Sequence, residues 1–187
     1  QNAIATANYT TANKTALVAT AGWVVFDTDL SQLSYYNGTT WIAVGCGNAT
    51  ATQSIALSSD GITWTLNTNG SVSNPNTVLW GGLAWNGNGT WVVCGAAIAG
   101  ATQGVYYSTN DGITWTASTT SILQGCTSVT WTGVYFILGF ASSTTFGTGA
   151  YYSSDGINWA ICTYSSATSF FGLAWSNAQP NSGIQNV

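Results

Sequence analysis

The chain has 187 residues, 45% hydrophobic and only 3% charged: one base, Lys14, stands against five aspartates, for a formal net charge of −4. That length supports a core of ordinary size, and the absence of any Lys/Arg cluster excludes nucleic acid and anionic lipid as partners. His, Glu and Arg do not occur, which excludes Ser-His and Cys-His nucleophile systems.

Globular domains carry about a quarter charged residues, so hydroxyls and amides must cover this surface. The usual occupants of exposed helix positions are nearly absent, while Thr, Val, Tyr and Trp abound. That balance predicts an all-β chain.

In chain order, residues 1–20, rich in Ala, Thr and Asn, read as an extended N-terminal arm or linker. The start at Gln1, with no signal-peptide pattern, carries the expectation of a processed or internal portion of a longer product. No run approaches the ~18 apolar residues of a membrane span. Residues 21–187 read as one repeat domain, with units at about 21–75, 76–119 and 120–165 and a partial unit at 166–187.

Self-similarity defines those units. Tyr35-Tyr36-Asn37-Gly38-Thr39-Thr40-Trp41, Leu83-Ala84-Trp85-Asn86-Gly87-Asn88-Gly89-Thr90-Trp91 and Val129-Thr130-Trp131-Thr132-Gly133-Val134-Tyr135 open three of them. They close on Ser58-Ser59-Asp60-Gly61-Ile62-Thr63-Trp64, Ser108-Thr109-Asn110-Asp111-Gly112-Ile113-Thr114-Trp115 and Ser153-Ser154-Asp155-Gly156-Ile157-Asn158-Trp159. Phe171-Gly172-Leu173-Ala174-Trp175 begins a fourth copy. The closing Trp residues fall 51 and 44 positions apart.

Each copy reads as four strands, the first two joined by a short Asn/Gly turn and the last two closing around Asp-Gly. That dipeptide predicts a type I′ hairpin. Ile-x-Trp after it predicts Ile and Trp on one face, with Trp packed between neighbouring units. Such a unit has two faces to bury, and radial stacking into a β-propeller buries both. The strand Trp23-Val24-Val25-Phe26 offers a way to close a four-bladed ring by joining the last copy.

The closing segments resemble the Asp-box (BNR) motif, Ser/Thr-x-Asp-x-Gly-x-Thr-Trp. Ser108 to Trp115 follows it with Asn110 at the Asp position, and the other two copies lack one residue between Asp and Gly. The resemblance covers residues from about 35 to 175 and implies a structural turn between the third and fourth strands of a propeller blade. The segment from Gly22 to Trp41 resembles a module of phage tail-fibre and other virion appendage proteins, a hairpin running into an Asn-Gly-x-x-Trp strand.

Asp-box propellers include sialidases, which need an arginine cluster and a Tyr/Glu nucleophile pair that this chain lacks. Asp27, Asp29, Asp60, Asp111 and Asp155 are the only acids, and the last three occupy turns where Asp is favoured for backbone reasons. No catalytic residue, cofactor or metal is therefore expected. The structural turn residues are Ser58, Asp60, Gly61, Trp64, Ser108, Asn110, Asp111, Gly112, Trp115, Ser153, Asp155, Gly156 and Trp159. Trp41, Trp64, Trp91, Trp115, Trp131 and Trp159 recur at equivalent positions and read as core. Trp23 and Trp80 recur less cleanly and are the candidates for ligand contact. In the pairs Tyr106-Tyr107 and Tyr151-Tyr152, one ring should point inward. Cys46, Cys94, Cys126 and Cys162 show no metal-binding spacing; they read as small buried side chains or as one or two disulfides of open pairing. Sequons at Asn8, Asn13, Asn37, Asn48, Asn69 and Asn88 are about as frequent as the Ser/Thr content produces by chance.

The resulting expectation is a non-catalytic structural protein, extracellular or on a virion surface, as a fibre, spike or decoration component. Its partners would be other copies of itself or other structural proteins, with cell-surface glycans a further candidate, and no nucleic acid or membrane insertion. The alternatives are a secreted carbohydrate-binding propeller and a self-assembling extracellular filament subunit.

Overall fold

The computed structural model describes residues 7–9, 23–27, 32–45, 55–67, 78–97, 104–120, 125–140, 149–163 and 173, of which 7–9, 23–27, 32–36, 78–80 and 96–97 are described by backbone alone. These residues are all-β, as the composition predicts, and form three sheets. The first runs in chain order through β1 (Ala7–Tyr9), β2 (Trp23–Asp27), β3 (Gln32–Tyr36), β4 (Trp41–Val44), β5 (Ile55–Ser58) and β6 (Thr65–Leu66). The second comprises β7 (Val78–Trp85), β8 (Trp91–Ala97), β9 (Val105–Ser108) and β10 (Thr116–Ala117). The third comprises β11 (Cys126–Trp131), β12 (Phe136–Phe140), β13 (Ala150–Ser153) and β14 (Ala160–Ile161). Sheets two and three are four-stranded antiparallel meanders.

The second strand of each unit is an unbroken run of aromatic and branched residues, Trp41-Ile42-Ala43-Val44, Trp91-Val92-Val93-Cys94 and Phe136-Ile137-Leu138. The first two runs are buried on both faces. A two-faced apolar strand needs cover on each side, which stacked sheets supply. One cluster joins Ile42, Val44 and Ile55 of the first sheet to Leu83, Trp91, Val93, Tyr106 and Trp115 of the second. Another joins Ala84, Val92, Cys94 and Val105 of the second to Val129, Phe136, Leu138, Phe140, Tyr151 and Trp159 of the third. Full burial of each such side chain contributes about 1.5–3 kcal/mol, an upper value because the unfolded chain already hides some apolar surface.

The sheets meet most closely where β7 passes β11. A Cβ on Gly81 would stand 2.6 Å from the Thr127 carbonyl oxygen, and one on Gly82 would stand 2.8 Å from Val129 N. Both strands are irregular at this crossing, β7 between Trp80 and Gly82 and β11 between Cys126 and Ser128. Bulges of this kind bend and twist a strand. Paired glycines then let two backbones come into contact, a role that the repeat pattern did not single out.

Three expectations change. Trp23–Asp27 does not join the last unit: it pairs with β3 on one side and β1 on the other, so both of its edges are taken within the first sheet. The first sheet therefore has six strands rather than four. Its edge strand comes from the segment read as an arm, with Ala7–Tyr9 running parallel to Val25–Asp27. Strand pairing across that distance depends on where the chain returns, which local pattern does not encode. The partial unit at 166–187 lies outside the described residues apart from Leu173.

The third change concerns the hairpin. The last two strands of each unit are separated by six or seven residues, not two, and Asp60 and Asp155 have negative φ. Only their following glycines take positive φ, at +75° and +78°. The second copy, with one residue more, places both Asp111 (φ 56°) and Gly112 (φ 76°) in the left-handed region. Because Ile62 and Ile113 then lie in a loop rather than a strand, they are exposed and do not share a face with the buried Trp115.

Candidate functional site: the box turns and the outer face of the third sheet

The first and third closing turns share one network. Ser58 Oγ accepts from Gly61 N at 2.8 Å and donates to Asp60 Oδ1 at 2.8 Å, and that carboxylate oxygen accepts from Ile62 N and Thr63 N at 2.8 Å each. In the third copy, Ser153 Oγ accepts from Gly156 N at 2.8 Å, and Asp155 Oδ1 accepts from Ile157 N at 2.8 Å and Asn158 N at 2.9 Å. The longer second copy keeps the logic with an amide: Asn110 Oδ1 accepts from Thr114 N at 2.9 Å and from Ser108 Oγ. A side-chain oxygen thus replaces the backbone partner that a loop cannot supply.

The carboxylates answer to this environment. The backbone N–H groups of Ile62 and Thr63, with the Ser58 hydroxyl, hold Asp60 well below the usual carboxylate range. Partial burial alone would raise Asp155, but donors from Asn158, Ile157 and Ser153 outweigh it and bring its pKa down to about 2. Both are ionised acceptors with their oxygens committed to the loop.

The second and third turns also dock on the sheet before them. A Cβ on Gly112 would meet the Ile42 and Leu57 side chains of the first sheet, and one on Gly156 would stand 2.7 Å from Val92 Cγ2 of the second. Hydrogen bonds repeat the pattern. Asn67 Nδ2, just past β6, donates to Gly112 O at 2.6 Å and Ile113 O at 3.1 Å. Ser118 Oγ, just past β10, donates to Ile157 O at 2.9 Å, and Thr119 Oγ1 donates to Ile157 O at 3.1 Å. Asn37 Nδ2 donates to Asp111 Oδ1 at 3.0 Å. Trp115 closes its own turn with Nε1 donating to Gly112 O at 2.8 Å and fills the cluster between the first two sheets; Trp159 fills the one between the second and third. Trp64 Nε1 bonds Gly61 O at 3.2 Å and is half-buried, as is Trp131.

The first and second sheets each present a docking row to the next box turn, and the third sheet repeats that row. Backbone register makes Ile137 the counterpart of Ile42 and Val92, and Tyr152 the counterpart of Leu57 and Tyr107. Cys162 corresponds to Asn67 and Ser118, each of which donates its N–H to the carbonyl at the start of the third strand, Ala150, Ile55 and Val105 respectively. On the third sheet this face is open: Tyr152 is 39% and Tyr135 42% exposed, their rings edge-to-face at 5.5 Å, with Val134 beside them at 61%. Tyr106 and Tyr151 turn inward, as alternation predicts.

The candidates for ligand contact, Trp23 and Trp80, are described by backbone alone, in β2 and β7. Tyr135 and Tyr152 are the exposed aromatic pair that sequence reading missed. The available signal was the alternation that sends one ring of Tyr151-Tyr152 outward. A hydroxyl-lined cleft of about 270 Å³ lies beside the first box turn, among Thr40, Leu57, Ser58, Ser59, Thr63 and Thr65.

No protein-family model matches the sequence, and comparison with curated proteins finds no match. Among solved structures, the chain is similar to the GH74 xyloglucanase from Xanthomonas campestris, at 19% identity and a TM-score of 0.46. The match covers 74% of this chain and spans 20% of the length of that enzyme.

Proposed function

We propose that the chain is a non-catalytic structural module of an extracellular assembly, a β-propeller-type array used as a fibre, spike or decoration component of a virion. The observation that carries the structural reading is the outer face of the third sheet. It repeats the row that receives a box turn twice within the chain, and it stands open. Such a face suits continuation by a further unit, from another copy or from another structural protein. Low net charge leaves little repulsion to oppose that association.

The acids support a non-catalytic role. Asp60 and Asp155 hold loop N–H groups in ionised form, whereas glycoside hydrolysis needs one carboxyl kept protonated near neutral pH. Arg, Glu and His, the usual partners of such an acid–base system, are absent from the sequence.

Multi-angle light scattering of the purified chain tests the assembly. Wild type is expected to associate with rising concentration, and Tyr152→Asp, which sets a charge in the open face, to remain monomeric. A wild-type chain that stays a monodisperse monomer at high concentration sinks the assembly reading. Antibody labelling of intact particles tests the location, and absence from every particle surface would count against a virion component.

A carbohydrate-binding role is the second reading, favoured by the exposed Tyr135–Tyr152 pair, since aromatic faces stack on sugar rings. A glycan array decides it: saturable binding lost in Tyr135→Ala but kept in a box-turn variant supports a lectin.

A further inference from the structure

We infer that Cys94 and Cys126 form a disulfide-forming site that locks the second sheet to the third. Cys94 lies in β8 and Cys126 opens β11, and both belong to the cluster that these sheets bury between them. They are 0% and 1% exposed, and both are free thiols in this structure. Their thiols are near enough to interact across the interface, while Cys126 Sγ donates to Ser128 O at 3.3 Å. The backbones around them are in close contact too. Cys94 pairs in its ladder with Gly82, whose missing side chain lets β7 touch β11 at Ser128 and Val129. The cysteines therefore sit where the two sheets come nearest, on strands from different units.

No metal chemistry accounts for the pair. Among the described residues no group of three His, Cys, Asp or Glu is placed to hold an ion, and the chain has no His. Two thiols in mutual contact have one common reaction, oxidation to a disulfide by a small-molecule disulfide such as oxidised glutathione. One cysteine thiolate attacks a sulfur of that reagent, forming a mixed disulfide and releasing one thiol. The second cysteine thiolate then attacks the protein sulfur of the mixed disulfide and releases the other thiol. Both protein protons end on the two departing thiols, and the reagent takes the two electrons.

Closure of the sheets controls this chemistry. In the folded chain, burial pushes the Cys94 thiol up, as does the interaction of its S–H with the Cys126 sulfur, so thiolate is scarce and no oxidant reaches it. The bond therefore forms while β8 and β11 are still exposed, during folding in an oxidising compartment. Cys162 lies outside this cluster and is half-buried.

The test compares protein refolded in a redox buffer of oxidised and reduced glutathione with protein refolded in reductant. Each is unfolded, alkylated and mapped by mass spectrometry without reduction. The oxidised sample is expected to contain one cross-linked peptide pair holding Cys94 and Cys126, with a mass about 2 Da below that of the two thiols. Closing a loop of about 30 residues should raise its Tm by about 10 °C over the reduced sample. A Cys94→Ala/Cys126→Ala variant, which keeps small apolar side chains in the cluster, should show no Tm difference between the two buffers. Full alkylation of both cysteines after oxidative refolding, or a cross-link of either one to Cys46 or Cys162, overturns the assignment. Either result leaves the assembly reading untouched, because that reading rests on the opposite face of the third sheet.

Discussion

Replacing Gly156 by Ala measures how tightly a box turn is seated on the sheet before it. The new Cβ would lie 2.7 Å from Val92 Cγ2 and 3.4 Å from both Phe136 and the Thr90 methyl. Carbon atoms prefer about 3.5–4.0 Å, so the turn and the second sheet must separate by about 1 Å. Val92 has no room to yield, being fully buried on a β-branched side chain. Overpacking of this kind costs about 1–3 kcal/mol. The backbone adds about 1 kcal/mol, since φ is +78° and Ala resists the left-handed region. Gly87 supplies the control: its φ is also +78°, but a Cβ there meets nothing within 4 Å. Gly87→Ala should therefore cost about 1 kcal/mol and Gly156→Ala about 2–4 kcal/mol. Urea unfolding followed by Trp fluorescence reads the difference, provided that both variants unfold in one transition with unchanged slope. Equal losses in the two variants would refute close packing between the second and third sheets.

Other substitutions probe the same architecture. Trp115→Phe removes the buried hydrogen bond to Gly112 O and part of a 1%-exposed side chain, and should lower stability by about 2–3 kcal/mol in the same assay. Asn67→Ala deletes the amide that bonds Gly112 O and Ile113 O, and should cost about 1 kcal/mol, because water replaces part of what is lost. Asp155 has a folded-state pKa of about 2, below its ordinary 3.8, so its stabilisation is complete above about pH 4 and is lost as pH falls towards 2. Asp155→Asn should flatten that part of the stability–pH profile and lower neutral-pH stability by about 1 kcal/mol, since the amide loses the bond from Asn158 Nδ2 to Asp155 Oδ2; an unaltered acid slope would refute the assignment.

The sequence by itself determined the class of the chain and the repeating unit. Aromatic and branched runs beginning at Trp41, Trp91 or Phe136 have one stable use, as strands covered on both sides. The recurrence of Ser, Asp or Asn, Gly and Trp at fixed offsets marked the closing turns, because those residues satisfy loop N–H groups locally. The alternation that buries Tyr106 and Tyr151 and frees Tyr152 followed from a period of two. The two-residue hairpin failed because Asp-Gly serves two turn chemistries: here the aspartate side chain, rather than a left-handed backbone, closes the loop at Asp60 and Asp155. Where Trp23–Asp27 docks, and that Ala7–Tyr9 runs beside it, depended on the path of the chain through space. The same holds for the approach of Gly82 to Val129, the meeting of Cys94 with Cys126 and the open face around Tyr152. Pattern within a strand fixes which residues face which way. Which sheet lies opposite, and which side chains stand exposed, is a property of stacking and was decided by the tertiary structure alone.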